Sequence, residues 1–77
     1  MSVMFTVEVE PEIDGRWIAE VVELPGVLAY GATQDEAIAL VQALALRVVA
    51  DRLENAEAGR EFLRISFGAA RTSESKV

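Results

Sequence analysis

A turn, a short strand and the start of a helix follow one another in the first half of this chain. Pro25-Gly26 suits a tight turn, because proline fixes φ and glycine accepts a left-handed position. Thr33 and Glu36 have the T-x-x-E spacing of a capping box, which marks the first turn of a helix. We therefore predict a strand over residues 27–31, between the turn and the helix.

Alternation of apolar and polar residues predicts three further strands. Residues 11–15, which begin with proline and end with glycine, read as a hairpin loop. A second strand, Arg16 to Val22, follows this loop. The first strand carries its apolar residues at Val3, Phe5, Val7 and Val9. The last strand carries them at Leu63, Ile65 and Phe67.

This order, β-β-β-α-β, predicts a small α+β fold: a mainly antiparallel sheet of three to four strands with the single helix packed on one face. Residues 1–67 form the predicted domain, and residues 68–77 are predicted to be a disordered tail because they are small, polar and charged. The predicted core consists of Val3, Phe5, Val7, Ala19, Val41, Leu44, Val48 and Ile65.

The helix, predicted to run to about Ala56 with Gly59 just past its end, is more apolar than one sheet requires. At 100° per residue, one stripe contains Ala37, Val41, Leu44 and Val48. A second stripe, turned well away from the first, contains Ile38, Ala45 and Val49 and is extended by Leu46 and Leu53. It needs another surface to pack against, and the simplest is a second copy of the chain. We therefore predict a dimer or higher oligomer held by Ile38, Leu46, Val49 and Leu53.

Composition excludes several classes of function. The chain has 77 residues, no cysteine and no histidine, so the commonest general base and the commonest metal ligands are missing. No nucleotide-binding glycine loop is present. The longest apolar stretch, residues 37–46, is interrupted by Gln42 and is far shorter than the roughly 20 residues that span a bilayer. We expect a non-enzymatic, cytoplasmic protein without cofactor, metal or membrane association.

Charge is unevenly distributed along the chain. The net charge is −6, and residues 1–46 contain eight acids against one base. Such a half repels nucleic acid and favours a basic partner, although acids on a small domain also serve solubility alone. We expect no specific binding to duplex DNA at physiological salt.

Acids alternate along the first strand at Glu8, Glu10 and Glu12, with Glu20 across the hairpin. Clustered carboxylates can hold Mg²⁺ or work as an acid/base pair, but this alternation is equally typical of a solvated strand face, which we favour. Trp17 has two interpretations: a core residue beneath the helix, or an anchor for a binding partner.

The combined motifs resemble the HicB-like antitoxin family over residues 4 to about 67. The resemblance is carried by the first strand, by Gly15-x-Trp17-x-Ala19-Glu20, by Glu23-Leu24-Pro25-Gly26 and by Gly31-x-Thr33-x-x-Glu36-Ala37. It implies a truncated RNase H-like fold without the acidic metal ligands of a nuclease.

The family's function is to occlude HicA, a small basic ribonuclease toxin. The resemblance therefore implies an antitoxin-type binding module that meets its toxin through Glu8, Glu10, Trp17 and Glu20. Many members also carry a C-terminal DNA-binding segment, which this sequence does not show. The alternatives are a self-assembling structural or interaction protein with no toxin and, more remotely, a metal-dependent hydrolase.

Overall fold

The computed structural model describes residues 2–56 and 59–70, and within them the chain forms four strands, one long helix and one 3₁₀ turn. The α+β order predicted from the sequence, β-β-β-α-β, is confirmed. The elements are β1 (Val3–Pro11), β2 (Trp17–Val21), β3 (Leu28–Gly31), α1 (Gln34–Glu54), a 3₁₀ helix (Arg60–Phe62) and β4 (Ile65–Ala70).

The four strands form one mixed sheet in the order β3-β2-β1-β4. β1 pairs antiparallel with β2, and β2 pairs antiparallel with β3. β4 returns along the other side of β1 and pairs with it in parallel, so that Val3 lies beside Ile65 and Phe5 beside Phe67. The helix supplies the crossover that a parallel return requires.

The core lies between α1 and one face of the sheet. Alternation along β1 and β2 turns Phe5, Val7, Ala19 and Val21 toward the helix, where each is at most 2% exposed. Other predicted core residues, among them Val3 and Ile65, are half-buried and pack against this cluster. The remaining buried apolar residues are Val9, Leu24, Val27, Ala37, Val41, Ala45 and Val49.

The helix begins as predicted, and its end differs from the prediction. Thr33 is the N-cap, and its hydroxyl accepts a hydrogen bond from the Glu36 N–H at 3.1 Å. The Glu36 carboxylate reaches back to the N–H of Ala32. α1 stops at Glu54, and the left-handed residue that follows is Ala56, with φ 57°. We predicted Gly59 just past the end of the helix, but the left-handed residue that follows the helix is Ala56.

The buried face of α1 corrects the two-stripe interpretation. Val49 is 3% exposed and Ala45 is fully buried, so both belong to the core of their own chain. Ile38 lies between them around the helix, Leu44 lies at the far edge of the same face, and both are half-buried. At 100° per residue the first stripe and the residues Ala45, Ile38 and Val49 of the second form one arc about 140° wide, whereas Leu46 and Leu53 lie beyond its edge. A twisted sheet contacts the whole arc, and Val49 is therefore not available to another copy.

The segment after α1 also differs from the prediction. Leu63, predicted to open the last strand, instead caps the 3₁₀ helix and is 75% exposed. β4 begins at Ile65 and continues through Ala70, three residues into the predicted tail. The rest of that tail, residues 71–77, lies outside the described residues.

Candidate functional site

The face of the sheet turned away from α1 is the candidate site, and we call it the open face. Residues that alternate with the core positions of β1, β2 and β3 lie on it, because side chains point to opposite sides along a strand. No described helix or strand packs over this face. It carries Met4, Thr6, Glu8, Glu10, Ile18, Glu20, Val22, Leu28 and Tyr30.

Strand register concentrates negative charge at the centre of the open face. Glu8 lies directly opposite Glu20 in the β1–β2 pairing, and Glu10 follows in the next row, opposite Ile18. All three glutamates are exposed. Like charges directly opposite each other across two strands are destabilising. The folded chain therefore carries an electrostatic cost at this point that a cation bound above the pair would remove.

Apolar side chains surround these acids. Leu28 lies beside Glu20, and Tyr30 lies beside Ile18, both across the β2–β3 pairing. The exposed fractions are 38% for Leu28, 41% for Tyr30 and 47% for Val22. The open face thus combines a central acidic row with exposed apolar side chains, a composition suited to a partner that is basic and partly apolar.

A basic side chain at one corner of the open face is already engaged. The Arg16 Nε lies 2.7 Å from the Asp14 Oδ2, and the Arg16 N–H donates to the Asp14 Oδ1 at 3.0 Å. These hydrogen bonds from Arg16 lower the pKa of Asp14. The same guanidinium lies 4.3 Å from the centre of the Tyr30 ring. Arg16 therefore orders the hairpin loop and Tyr30, and it does not neutralise the glutamate row.

Trp17 is separated from the three glutamates of the predicted binding set. It alternates with Ile18, lies on the same side of β2 as the fully buried Ala19, and packs against the core cluster. Its register partner in β3 is Gly31, which is itself buried. The structure thus brings Glu8, Glu10 and Glu20 together on the open face and places Trp17 on the opposite face. Its position supports the core interpretation.

Glu23 has a role that its sequence pattern does not reveal, because the pattern shows this residue only as part of the motif Glu23-Leu24-Pro25-Gly26. β2 leaves the sheet after Val21, and the backbone N–H of Thr6 then meets the Glu23 carboxylate instead of a strand carbonyl. Glu23 Oε1 accepts from the Thr6 N–H at 2.7 Å, and Oε2 accepts from the Thr6 hydroxyl at 2.7 Å. The Val22 N–H still donates to the Thr6 carbonyl at 2.9 Å, so the Glu23 carboxylate supplies the acceptor that completes this last pair of the β1–β2 ladder.

These contacts make part of the stability depend on pH. Burial raises the pKa of Glu23, but the hydrogen bonds from Thr6 outweigh burial and hold the pKa below its ordinary value of 4.5. A carboxyl group whose pKa is lowered by folding stabilises the protein above its unfolded-state pKa, and this contribution is lost as the pH falls through the lowered value.

We expect the free energy of unfolding of Glu23→Gln at pH 7, measured by urea denaturation, to be about 1 kcal/mol lower than that of the parent, because the charged acceptor is lost. The difference should shrink as the pH falls below 4.5 and through the lowered pKa of Glu23, because the parent carboxyl group then also becomes neutral. Glu54→Gln, at an exposed helix position, is the matched control and should follow the parent. A constant difference between parent and Glu23→Gln at every pH would contradict this assignment.

The residues predicted for self-association are divided between two environments. Ile38 is half-buried against the core, and Val49 is part of the core itself. Leu46 and Leu53 lie on the outer side of α1, away from the sheet, and are 47% and 45% exposed. Leu40, also on the helix, is 46% exposed. Leu46 and Leu53 therefore form an exposed apolar strip along one side of α1, from which Leu40 is separated by about 120° around the helix.

Two further observations concern other kinds of site. Within residues 2–56 and 59–70, no three acidic side chains converge in a way that could hold a metal ion. In the same part of the chain, no helix has both the length and the apolar character needed to cross a membrane.

Comparison of the chain with protein-family models, with curated proteins and with solved structures found no match. The arrangement of charged and apolar side chains on the open face is therefore the basis for the functional argument.

Proposed function

We propose that this chain is a non-enzymatic protein-binding module whose open face covers a basic surface of a partner. The observation that carries the proposal is the register of Glu8 opposite Glu20 on an uncovered sheet face, with Glu10 in the next row. A basic partner relieves the repulsion between the opposed carboxylates when it binds. The exposed Leu28 and Tyr30 supply apolar contact beside this charged row.

The resemblance to HicB-like antitoxins suggests the kind of partner. A HicA-like toxin is a small basic ribonuclease, and its RNA-binding surface has the positive charge that the open face would attract. Binding there excludes RNA by occlusion, so the module itself needs no catalytic group. The absence of histidine and cysteine from the sequence supports a role without catalysis. We place this activity in the cytoplasm, where such a toxin meets its RNA.

Co-expression tests the antitoxin proposal. A short neighbouring gene for a basic, histidine-containing protein would be induced alone, with this chain, and with its Glu8→Gln/Glu10→Gln/Glu20→Gln variant. We expect the toxin alone to stop growth, the parent chain to restore it, and the variant to restore it less well at equal expression. The purified parent should have no ribonuclease activity of its own, with or without Mg²⁺. Full lethality beside well-folded parent chain would refute the proposal.

A second candidate function is self-assembly without a toxin, favoured by Leu46 and Leu53 on the outer side of α1. Burying each leucine side chain is worth about 1.5–3 kcal/mol. If this surface holds an assembly together, Leu46→Lys should dissociate it in sedimentation experiments. The two candidates use opposite sides of the molecule, so the triple glutamate variant should leave such an assembly intact.

A further inference from the structure

Strand β4 lies at the edge of the sheet, with β1 as its neighbour on one side. Natural edge strands are usually protected from pairing by charged residues, proline or a bulge. Residues 65–70 contain neither a charge nor a proline, although 26% of the whole chain is charged. β4 also pairs with β1 residue by residue over its whole length, without a bulge. Within residues 2–56 and 59–70, this edge therefore lacks the usual protection.

The hydrogen-bonding direction of β4 follows from one contact. The Arg64 carbonyl accepts from the Val3 N–H at 2.9 Å and so faces β1. Peptide groups of alternate residues face opposite sides of a strand. The N–H and C=O groups of Ile65, Phe67 and Ala69 therefore point outward. In the part of the chain that the structure describes, no other strand lies on that side.

Half-exposed apolar side chains accompany this outer edge. Ile65 and Phe67 turn toward the helix side of the sheet and are only partly buried against the core. The centre of the Phe67 ring lies 5.6 Å from the centre of the Phe5 ring, and the centre of the Phe62 ring lies 6.4 Å from it. α1 packs mainly over β2 and β3, so the aromatic layer beneath β4 lies beyond the main helix contact.

We propose that β4 pairs antiparallel with β4 of a second copy around a two-fold axis. A register centred on Phe67 places this residue opposite its own copy and Ile65 opposite Ala69. All three outward residues then occupy hydrogen-bonded positions, which gives about six new backbone bonds. The two Phe67 rings also meet on the helix side, where each extends the partly covered aromatic layer of the other chain.

The composition of β4 favours a second copy over a charged foreign partner at this edge. The strand has no charge with which to select a basic or an acidic protein, whereas a second copy offers the same three outward residues in a register that pairs all of them. The glutamates of the two copies remain well separated: the β1 strands lie about 14 Å apart and the β2 strands about 24 Å, at about 4.8 Å per strand. The Debye length is about 8 Å at physiological salt, so the repulsion between the two acidic faces is largely screened.

The pairing of β4 does not depend on the proposed function, but it determines how the open faces of two copies are oriented relative to each other. A two-fold axis perpendicular to the joined sheet puts both helices on one side and both open faces on the other. The dimer thus presents two acidic faces to the same side. A partner with two basic surfaces, or two toxin molecules, can be engaged at once.

The test uses Ala69→Pro in the full chain. Proline removes only the outward N–H of residue 69, which takes no part in the pairing with β1, and an edge strand tolerates proline there. We expect the parent to sediment as a dimer, and Ala69→Pro to dimerise about 30-fold more weakly, because two symmetry-related hydrogen bonds are lost. Leu46→Lys distinguishes this pairing from an assembly held by the outer side of α1, and with β4 pairing it should remain dimeric.

Hydrogen exchange provides a readout that does not depend on the proline variant folding. In the parent, the amides of Ile65, Phe67 and Ala69 should become protected as concentration rises, whereas those of Ser66 and Gly68 should be protected at all concentrations. A parent that is monomeric at about 100 μM would overturn the proposal. So would a dimer that Leu46→Lys dissociates, or one in which the three outward amides exchange equally fast at every concentration.

Discussion

Replacement of Gly31 by alanine is expected to lower the free energy of unfolding by about 3 kcal/mol. Gly31 ends β3, where the strand passes directly beneath the first turn of α1. A Cβ atom at this position would lie 2.5 Å from the Ala37 backbone N and 3.0 Å from the Ala37 Cα. Both contacts are with helix backbone, so no side chain can rotate away. The helix would have to move from the sheet, and the buried contacts of Ala37 and Val41 would loosen.

Urea unfolding followed by circular dichroism measures this effect. Gly59→Ala is the matched control, because a Cβ atom at Gly59 meets nothing within 4 Å and the residue has φ −165°. The control should change the unfolding free energy by no more than about 0.5 kcal/mol. Equal stability of Gly31→Ala and the parent would mean that β3 and the start of α1 are further apart than described.

Simultaneous replacement of Glu8, Glu10 and Glu20 by glutamine is expected to slow association with the proposed basic partner about tenfold at low salt. These exposed carboxylates attract a cationic protein over a distance before contact is made. Dissociation should accelerate less, by about twofold, since the apolar contacts of Leu28 and Tyr30 persist. The association rates of parent and variant should converge as salt is added, because added ions screen the attraction.

Stopped-flow or surface-based kinetics at several salt concentrations provide the measurement. The matched control neutralises three acids of the helix, Asp35, Asp51 and Glu54, and so changes net charge equally while leaving the open face intact. This control should retain most of the association rate. If both triple variants slow association to the same extent, net charge alone is responsible and the open face has no special role.

The elements with strong local signals could be predicted from the sequence. Alternation from Val3 to Val9 predicted β1 and its buried face. A sheet covered by a single helix is shielded from solvent on one face only, so apolar and polar residues alternate along its strands. Thr33 and Glu36 fixed the start of α1, because the cap depends on side chains three residues apart. The open-face position of Glu8, Glu10 and Glu20 also followed from alternation and a short hairpin.

Features that depend on tertiary packing could not be predicted in this way. Helical spacing alone does not give the width of the surface that a twisted sheet covers, and Val49 was therefore assigned to the outside. The Glu23 contacts with Thr6 depend on where β2 leaves the ladder. Pairing with β1 carries β4 through Ala70, although the local composition after Phe67 has little strand character.

Parallel pairing between β1 and β4 also determines when the sheet can be completed during synthesis. Val3 pairs with Ile65, so the second neighbour of β1 is made about 60 residues later. At about 5–20 residues per second this interval lasts about 3–12 s, whereas a hairpin forms within microseconds. The nascent β1–β2–β3 segment therefore waits with β1 as a temporary edge. Glu8 and Glu10 lie on that edge, where repulsion between growing chains opposes their aggregation before any partner is met.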